Sequence, residues 1–191
     1  FWRPRTTLWE ALRAHEAVWV KVRVFPHHAL AKLRPEFVPD TSLVVFLDGT
    51  NTNFSVLQSR PHEIWARFFS SSMKDDLRYA PSDCFETFPF PEAFETNPAL
   101  ESLGQRYYDH RATLMIARSE GMTKTYNRFH DVNEHARDIE LLRELHAEMD
   151  RAVLRAYGWD DLAERAEPRF LNADTEDDHT YQGRLFWPSD F

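Results

Sequence analysis

Glycine is scarce in this sequence. The 191 residues include five glycines, at positions 49, 104, 121, 158 and 183, and no two of them stand close together. Loops that cradle phosphates or dinucleotides need closely spaced glycines, because the backbone must approach the ligand. We therefore expect no nucleotide-binding loop in this chain.

Cysteine and lysine are also rare. Cys84 is the single cysteine, so an internal disulfide is excluded, and its place in the run CFETFPF predicts a buried small side chain in a reducing cytoplasm. None of the four lysines stands two residues after an acid, so the Glu-x-Lys half of a common nuclease metal site is missing. Asn97-Pro98 is followed by Ala-Leu, so the loop that grips a flipped adenine is missing too.

Two histidine features are candidates for chemistry, and neither is well supported. The nine histidines lack convincing metal-ligand spacing, and His130-Asp131 has no Gly-x-Ser-x-Gly context for a nucleophilic triad. We predict no catalytic residue and no metal site in this chain.

Long apolar runs are absent, and the charge is uneven. LVVFL at 43–47 is far shorter than the roughly 20 residues of a membrane helix, so no membrane partner is expected. The formal net charge is −8, but residues 1–90 carry 11 Lys and Arg against 10 Asp and Glu, whereas residues 91–191 carry 12 against 21. The first half is therefore compatible with nucleic-acid binding, and the acidic second half favours solvent or partner surface. The first residue, Phe1, suggests an internal piece of a longer chain.

The hydrophobic pattern of the first half predicts a small mixed sheet with packed helices. VWVKVRVF at 18–25 alternates, which indicates a half-buried strand whose outer row carries the charges, and LVVFLDG at 43–49 predicts a more buried strand followed by the turn GTNTN. FSVLQSRPHEIWARFF predicts a helix kinked at Pro61. The alternative is a new first turn at Pro61 with Ser59 as its cap.

A proline-rich connector, FPFPEAFETNP at 88–98, divides the chain. We predict an α+β fold with one domain over residues 1–92 and an antiparallel helical domain with an acidic tail over residues 99–191. Helices are expected over 99–119 and 138–158, with Gly158 as a C-terminal cap, and an ordered loop over 120–135 is expected to join them.

Four ordered strings carry a family resemblance. They are LQSRPHEIWARFF, SSSMKDDLRYAPSDCFETFPFP, YYDHRATLMIARSEGMTKTYNRFHD and LRELHAEMDRAVLRAYGW. Together they resemble the C-terminal part of MmeI-like DNA methyltransferases and restriction-modification enzymes, from about Val18 to Trp159. The resemblance implies a target recognition domain followed by a helical segment. It also implies an N-terminal domain of the same polypeptide that binds S-adenosylmethionine and methylates adenine, with Mg²⁺ if a nuclease is present. This chain itself would hold no cofactor.

The resemblance implies double-stranded DNA as the partner, so polar residues of the first half become candidate contacts. Asp76 and Arg78 flank Leu77, and on an extended segment both point to one side while Leu77 anchors the other. An acceptor beside an arginine fork suits a C:G pair, and the alternative is an exposed ion pair of little energetic value. Further candidates for base contacts are His27, Asn51 and Asn53. Candidates for phosphate contacts are Lys21, Arg23, Arg60, Arg67, Lys74, Lys124 and Arg128.

Phe85, Phe88 and Phe90 are predicted to pack and so to stiffen the end of the base-reading strip at residues 70–78. A different class of function stays open. The acidic helical half would then bind a partner subunit as a protein-interaction module, and the first half would only support it.

Overall fold

The computed structural model describes residues 6–37, 39–70, 77–189 and 191, with side chains from Glu10 onward. The helices are α1 (Thr6–Arg13), α2 (Asn51–Gln58), α3 (Arg60–Phe69), α4 (Pro81–Cys84), α5 (Pro98–Arg118), α6 (Met122–His130), α7 (Arg137–Ala156) and α8 (Asp160–Arg165). The strands are β1 (Val18–Val22), β2 (Val24–Phe25), β3 (Leu30–Leu33), β4 (Leu43–Phe46), β5 (Leu77–Arg78), β6 (Arg169–Phe170) and β7 (Leu185–Phe186). A short 3₁₀ helix spans Phe94–Thr96. The α+β class is confirmed.

The largest sheet has the order β3-β1-β4, and its pairings are antiparallel where a mixed sheet was predicted. β1 alternates as expected, but the assignment of its two rows was wrong. Trp19 and Lys21, placed in the outer row, are buried against the helices, and Trp19 stacks on Phe54 at 4.3 Å between ring centroids. Val18 and Val20 are buried with Leu12 on the other face, so the central strand is covered on both sides.

A separate two-stranded ribbon forms where the predicted strand 18–25 is interrupted. β2 pairs with β5, so that Val24 faces Arg78 and Phe25 faces Leu77. Between β1 and β2, the amide of Arg23 donates to the Ser42 carbonyl at 2.8 Å, and its carbonyl accepts from Tyr79 N at 2.7 Å. Arg23 therefore bonds to the β4 side through its amide and to the β5 side through its carbonyl. We call the pair of strands β2 and β5 the β2–β5 ribbon.

The helix predicted over 54–69 is two helices rather than one kinked helix. α2 begins earlier, at Asn51, because the Thr50 side chain accepts from Asn53 N and caps the first turn. Ser59 separates the helices and Pro61 lies in the first turn of α3, which is the alternative arrangement. Ser59 makes no side-chain cap, and Asp150 Oδ1 instead accepts from Arg60 N at 2.9 Å.

The helical half contains α5 and α7, which match the two predicted helices, and Gly158 has the positive φ of 76° expected of its cap position. The predicted ordered loop over 120–135 was wrong, because α6 occupies most of it. Its buried residues are Thr125, Tyr126 and Phe129, whose separations of one, three and four positions place them on one face of a helix. The polar residues between and around them hide this pattern in the sequence.

One hydrophobic core joins the two halves of the chain. Its buried cluster includes Trp19, Phe54 and Leu77 from the first half and Tyr107 and Met149 from the second. The division into domains 1–92 and 99–191 stays a prediction. Within the described residues, no helix is long and apolar enough to cross a bilayer.

The contact between α2 and α5 depends on Gly104. A Cβ added there would stand 2.4 Å from Asn51 O and 2.4 Å from Ser55 Oγ. Since backbone cannot move aside easily, we expect Gly104→Ala to lower the free energy of unfolding by about 1–3 kcal/mol, despite the better helix propensity of alanine. Urea unfolding measures this loss.

Gly121→Ala is the matched control, because a Cβ at Gly121 meets nothing within 4 Å. Its expected cost is about 0.5 kcal/mol, from the weaker N-cap preference of alanine. Equal losses in the two variants would contradict the close packing at Gly104.

Candidate nucleic-acid interface

Arg78 is presented to solvent by the β2–β5 ribbon. Side chains alternate along a strand, and its neighbour Leu77 is only 1% exposed whereas Arg78 is exposed. This agrees with the predicted anchoring by Leu77. No acidic side chain pairs with Arg78 in the part of the chain that the structure describes. Asp76 and Lys74 lie outside the described residues, so their proposed contacts stay predictions.

Aromatic side chains pack against the inner face of the ribbon. Tyr79, buried directly after Arg78, exchanges a hydrogen bond of 2.8 Å with His62 Nε2 and contacts Phe46 edge-to-face. Phe85 packs on Phe46 as well, with ring centroids 5.1 Å apart. Phe85, Phe88 and Phe90 all join the hydrophobic clusters, so the prediction that they pack is confirmed. Cys84 is buried as predicted and contacts Ala66 O.

The other predicted phosphate contacts differ in exposure and in whether carboxylates already pair with them. Arg23 and Lys124 are exposed and make no ion pair within the described residues. The Arg67 side chain is only 5% exposed and pairs with Glu63 at 2.7 Å, so its predicted phosphate contact is corrected. Arg128 is 38% exposed and pairs with Glu120 at 2.9 Å and Glu134 at 2.5 Å. A cation already neutralised by carboxylates attracts phosphate less, so Arg23 and Lys124 are the better candidates for phosphate contacts.

Two further predicted phosphate contacts are interior residues, and these predictions are corrected as well. Lys21 is 1% exposed, donates from Nζ to His27 O at 3.4 Å and lies over the Tyr79 ring at 5.6 Å. Arg60 is 1% exposed and forms a buried ion pair with Asp150. Lys21 is buried because β1 is covered on both faces. Arg60 is buried because it pairs with the carboxylate of Asp150, which lies 90 positions later in the chain.

Burial lowers the pKa of Lys21 from the ordinary lysine value of 10.5 to about 7. Because this folded pKa lies below the unfolded one, the unfolded state binds more protons between the two values, and stability rises with pH there. From pH 7.5 to 8.5 we expect Lys21→Met to remove a positive slope of up to about 1.4 kcal/mol per pH unit. Urea unfolding at several pH values measures the difference. Parallel pH profiles for the two proteins would contradict a depressed Lys21 pKa.

Three predicted base contacts are also buried. Asn51 donates from Nδ2 to Glu101 at 2.7 Å and to Gln105 at 2.8 Å, because it opens α2 beside α5 rather than lying in a turn. Asn53, on the same helix, donates from Nδ2 to Asp48 O, which precedes the helix, at 3.3 Å. His27 is buried with Nε2 2.8 Å from Asn127 Oδ1. These side chains stabilise the fold where they stand, and the prediction of base contacts is corrected for all three.

Four buried or partly buried histidines have lowered pKa values. Burial lowers the pKa of His28 and His130 well below the ordinary value, and that of His62 to about 3. His27, with its pKa lowered by burial, and His130 line a cleft of about 680 Å³ beside the β6–β7 hairpin. The other residues of the cleft include Asn127, Phe170 and Gln182. Asp131 and Arg184 also line the cleft, so it contains side chains of both charges.

Residues 26–92 match the family model described as MmeI, target recognition domain. This match confirms the resemblance seen in the sequence, and it ends at the predicted domain boundary. It includes both β5, with Arg78, and the aromatic support beneath the ribbon.

One solved structure is also similar. It is the type IIL restriction-modification enzyme MmeI in complex with DNA, with a TM-score of 0.53 and 17% sequence identity. The match covers 75% of this chain and 18% of that chain, so the chain spans less than a fifth of the enzyme it resembles. At this identity the likeness concerns the fold. No curated protein matches the chain.

The geometry of the ribbon adds one more candidate, which lies two residues before the matched region and has no local signal in the sequence. Val24 lies directly opposite Arg78 and is exposed. The alternation of residues 18–25 had placed Val24 in the inward row. Its exposure depends on the break at Arg23, which no local pattern signals.

Proposed function

We propose that this chain is the sequence-specific DNA recognition portion of an adenine-specific DNA methyltransferase, with restriction activity in the intact enzyme if a nuclease domain is joined to it. The methyltransferase domain, with its S-adenosylmethionine, is proposed to precede this chain in the same polypeptide. The observation that carries the proposal is the match of residues 26–92 to a target recognition domain, within which Arg78 projects outward from a rigidly supported ribbon.

The division of labour follows from the chemistry of base modification. A methyltransferase must rotate its target adenine out of the duplex, which costs a few kcal/mol, so another surface must hold the duplex and identify neighbouring bases. In the major groove an arginine fork pairs bidentately with guanine O6 and N7. Arg78 is proposed for this contact, and Arg23 and Lys124 are proposed to contact phosphates.

Rigidity is the second requirement for discrimination. A side chain that can shift to hydrogen-bond with any base does not discriminate between bases. Tight packing beneath the strand that carries the side chain prevents such shifts. Leu77 and Tyr79 on either side of Arg78 are both buried, and Tyr79 is also hydrogen-bonded to His62. The backbone of Arg78 is thereby fixed while its side chain stays outside.

Salt dependence separates DNA binding from the alternative, a protein-interaction module. The affinity of this chain for duplex DNA, alone and joined to the methyltransferase domain, should fall linearly in a plot of log K against log salt, with a slope of about −0.9 per phosphate contact. The absence of duplex binding in both forms would contradict the proposal and favour the protein-interaction module. Methylation mapping in cells that express the joined form tests the adenine chemistry, and an unmodified genome would refute that part.

Replacing Arg78 should alter specificity rather than affinity in general. Arg78→Ala removes the fork donor, so we expect discrimination at one base pair of the recognised motif to fall by about 1–3 kcal/mol while the other positions keep their preferences. Competition between duplexes that differ at single base pairs measures this change.

Arg23→Ala is the matched control, because Arg23 is an exposed cation at the same ribbon that is proposed to contact phosphate. It should weaken binding to all duplexes alike and reduce the salt slope by about 1. A uniform loss in Arg78→Ala as well would show that Arg78 is an ordinary phosphate contact or surface charge.

A further inference from the structure

Val24 is an exposed apolar side chain beside the candidate base contact Arg78. It is 54% exposed and stands directly opposite Arg78 in the β2–β5 ribbon. Directly opposed residues of an antiparallel pair project to the same side, so Val24 and Arg78 share the outer face. The next pair, Phe25 and Leu77, projects to the other side, where Leu77 is buried.

The hydrogen-bond pattern of the ribbon brings these two side chains close together. Tyr79 N donates to Arg23 O at 2.7 Å, which makes Arg23 and Tyr79 a hydrogen-bonded pair. Such pairs alternate with non-hydrogen-bonded pairs along an antiparallel ladder, so Val24 and Arg78 form the non-hydrogen-bonded kind. Cβ atoms in these pairs are roughly 4.5–5.5 Å apart, at the close end of the cross-strand range.

This spacing suits two neighbouring base pairs. Successive base pairs of B-DNA are separated by about 3.4 Å along the helix axis, and the major groove admits a two-stranded ribbon. When Arg78 lies on one guanine, Val24 lies over the adjoining step. The apolar group that base pairs present in the major groove is the C5 methyl of thymine.

We propose that Val24 is a specificity-determining residue that contacts the C5 methyl group of a thymine in the base pair next to the one bound by Arg78. The inference rests on the proposed function and adds an apolar contact to the polar one. The contact explains why an apolar side chain is exposed here, because binding to DNA would remove the methyl groups of Val24 and of thymine from water.

Deoxyuridine tests the contact, since it differs from thymidine at this edge by the methyl group alone. The probe is the duplex motif established by methylation mapping, with each thymine replaced singly by deoxyuridine. At one position next to the pair bound by Arg78, the replacement should weaken binding by wild-type protein about fourfold, the equivalent of roughly 0.8 kcal/mol for one buried methyl-sized group. Val24→Ala should bind the thymine and deoxyuridine duplexes equally.

Two further variants distinguish the contact from general damage to the fold. Val24→Thr keeps one methyl group and should retain part of the preference for thymine. Val22→Ala changes a valine that is 39% exposed and pairs with Leu43 in the larger sheet, so it should keep the full preference.

Each outcome decides the proposal. A motif without thymine at that position, tolerance of deoxyuridine by the wild type, or an unchanged preference in Val24→Ala would overturn the contact and leave the DNA-recognition function standing. Failure of the protein to select any motif would overturn the proposed function, and the role of Val24 with it.

Discussion

Asp150→Ala is expected to lower the free energy of unfolding by about 3–5 kcal/mol, because it leaves a buried cation without its counter-ion. The Asp150 carboxylate contacts the Arg60 guanidinium and lies 3.2 Å from His146 Nδ1. Burial alone would raise the pKa of Asp150, but His146 and Arg60 outweigh it and hold this pKa below the ordinary value. The carboxylate is therefore charged in the folded protein at neutral pH.

A second loss adds to the first in this variant. Asp150 Oδ1 accepts from the Arg60 amide at 2.9 Å at the start of α3. Without Asp150 this buried amide has lost its acceptor, and buried donors without partners cost about 1–3 kcal/mol. Urea unfolding at pH 7 measures the total.

Glu148→Ala provides the control for Asp150 on the same helix. Glu148 pairs with Arg106 at 3.4 Å, and the two side chains are 43% and 55% exposed. Exposed pairs contribute little, so a change within about 0.5 kcal/mol is expected. A loss below 1 kcal/mol in Asp150→Ala would contradict the account of the buried pair. The double variant Arg60→Met with Asp150→Leu should recover part of the stability, because it removes both charges.

Arg111→Ala should be similarly destabilising, by about 3–5 kcal/mol, through the loss of three hydrogen bonds and the creation of a cavity. Arg111 is fully buried on α5 and donates to Leu30 O at 2.5 Å, Tyr126 OH at 2.8 Å and Gln58 Oε1 at 3.3 Å. These acceptors belong to β3, α6 and α2, so one side chain links both halves of the chain.

Aromatic rings stabilise the Arg111 charge in place of a carboxylate. Its guanidinium carbon lies 5.5 Å from the centroids of Phe54 and Tyr108, 5.6 Å from that of Tyr107 and 5.9 Å from that of Tyr126. Such contacts are worth about 2 kcal/mol or more when desolvated. Arg111→Lys should restore little, since an ammonium cannot reproduce the planar fork.

Arg106→Ala, at an exposed position five residues earlier on α5, should change the free energy of unfolding by less than about 0.5 kcal/mol. Thermal and urea unfolding of Arg111→Ala, Arg111→Lys and Arg106→Ala give the comparison. An Arg111→Ala variant as stable as Arg106→Ala would contradict the role of Arg111 as the link between the two halves.

Some elements of the fold could be predicted from local sequence patterns and others could not. The helices α5 and α7 were predictable because their apolar residues follow the helical period over more than five turns, and the packing of Phe85, Phe88 and Phe90 followed from the density of aromatics between prolines. α6 was missed because its inward face has only Thr125, Tyr126 and Phe129, too few to stand out from its polar neighbours.

The errors at the candidate site have a common cause. Alternation along residues 18–25 reveals two rows of side chains but not which row faces the larger core, and Lys21 was placed outside because charged residues are seldom buried. Arg60, Asn51 and His27 became interior residues through partners far along the chain, namely Asp150, Glu101 and Asn127. Long-range partners of this kind leave no local pattern.

Selection from a pool of random duplexes tests the central claim most directly. The chain joined to its proposed methyltransferase domain is incubated with the pool, and bound duplexes are sequenced over several rounds, in parallel for wild type and Arg78→Ala. The account predicts that wild type enriches one short motif containing a C:G pair, and that Arg78→Ala enriches the same motif with that pair relaxed. Enrichment of no motif by wild type, or an unchanged motif with Arg78→Ala, would contradict it.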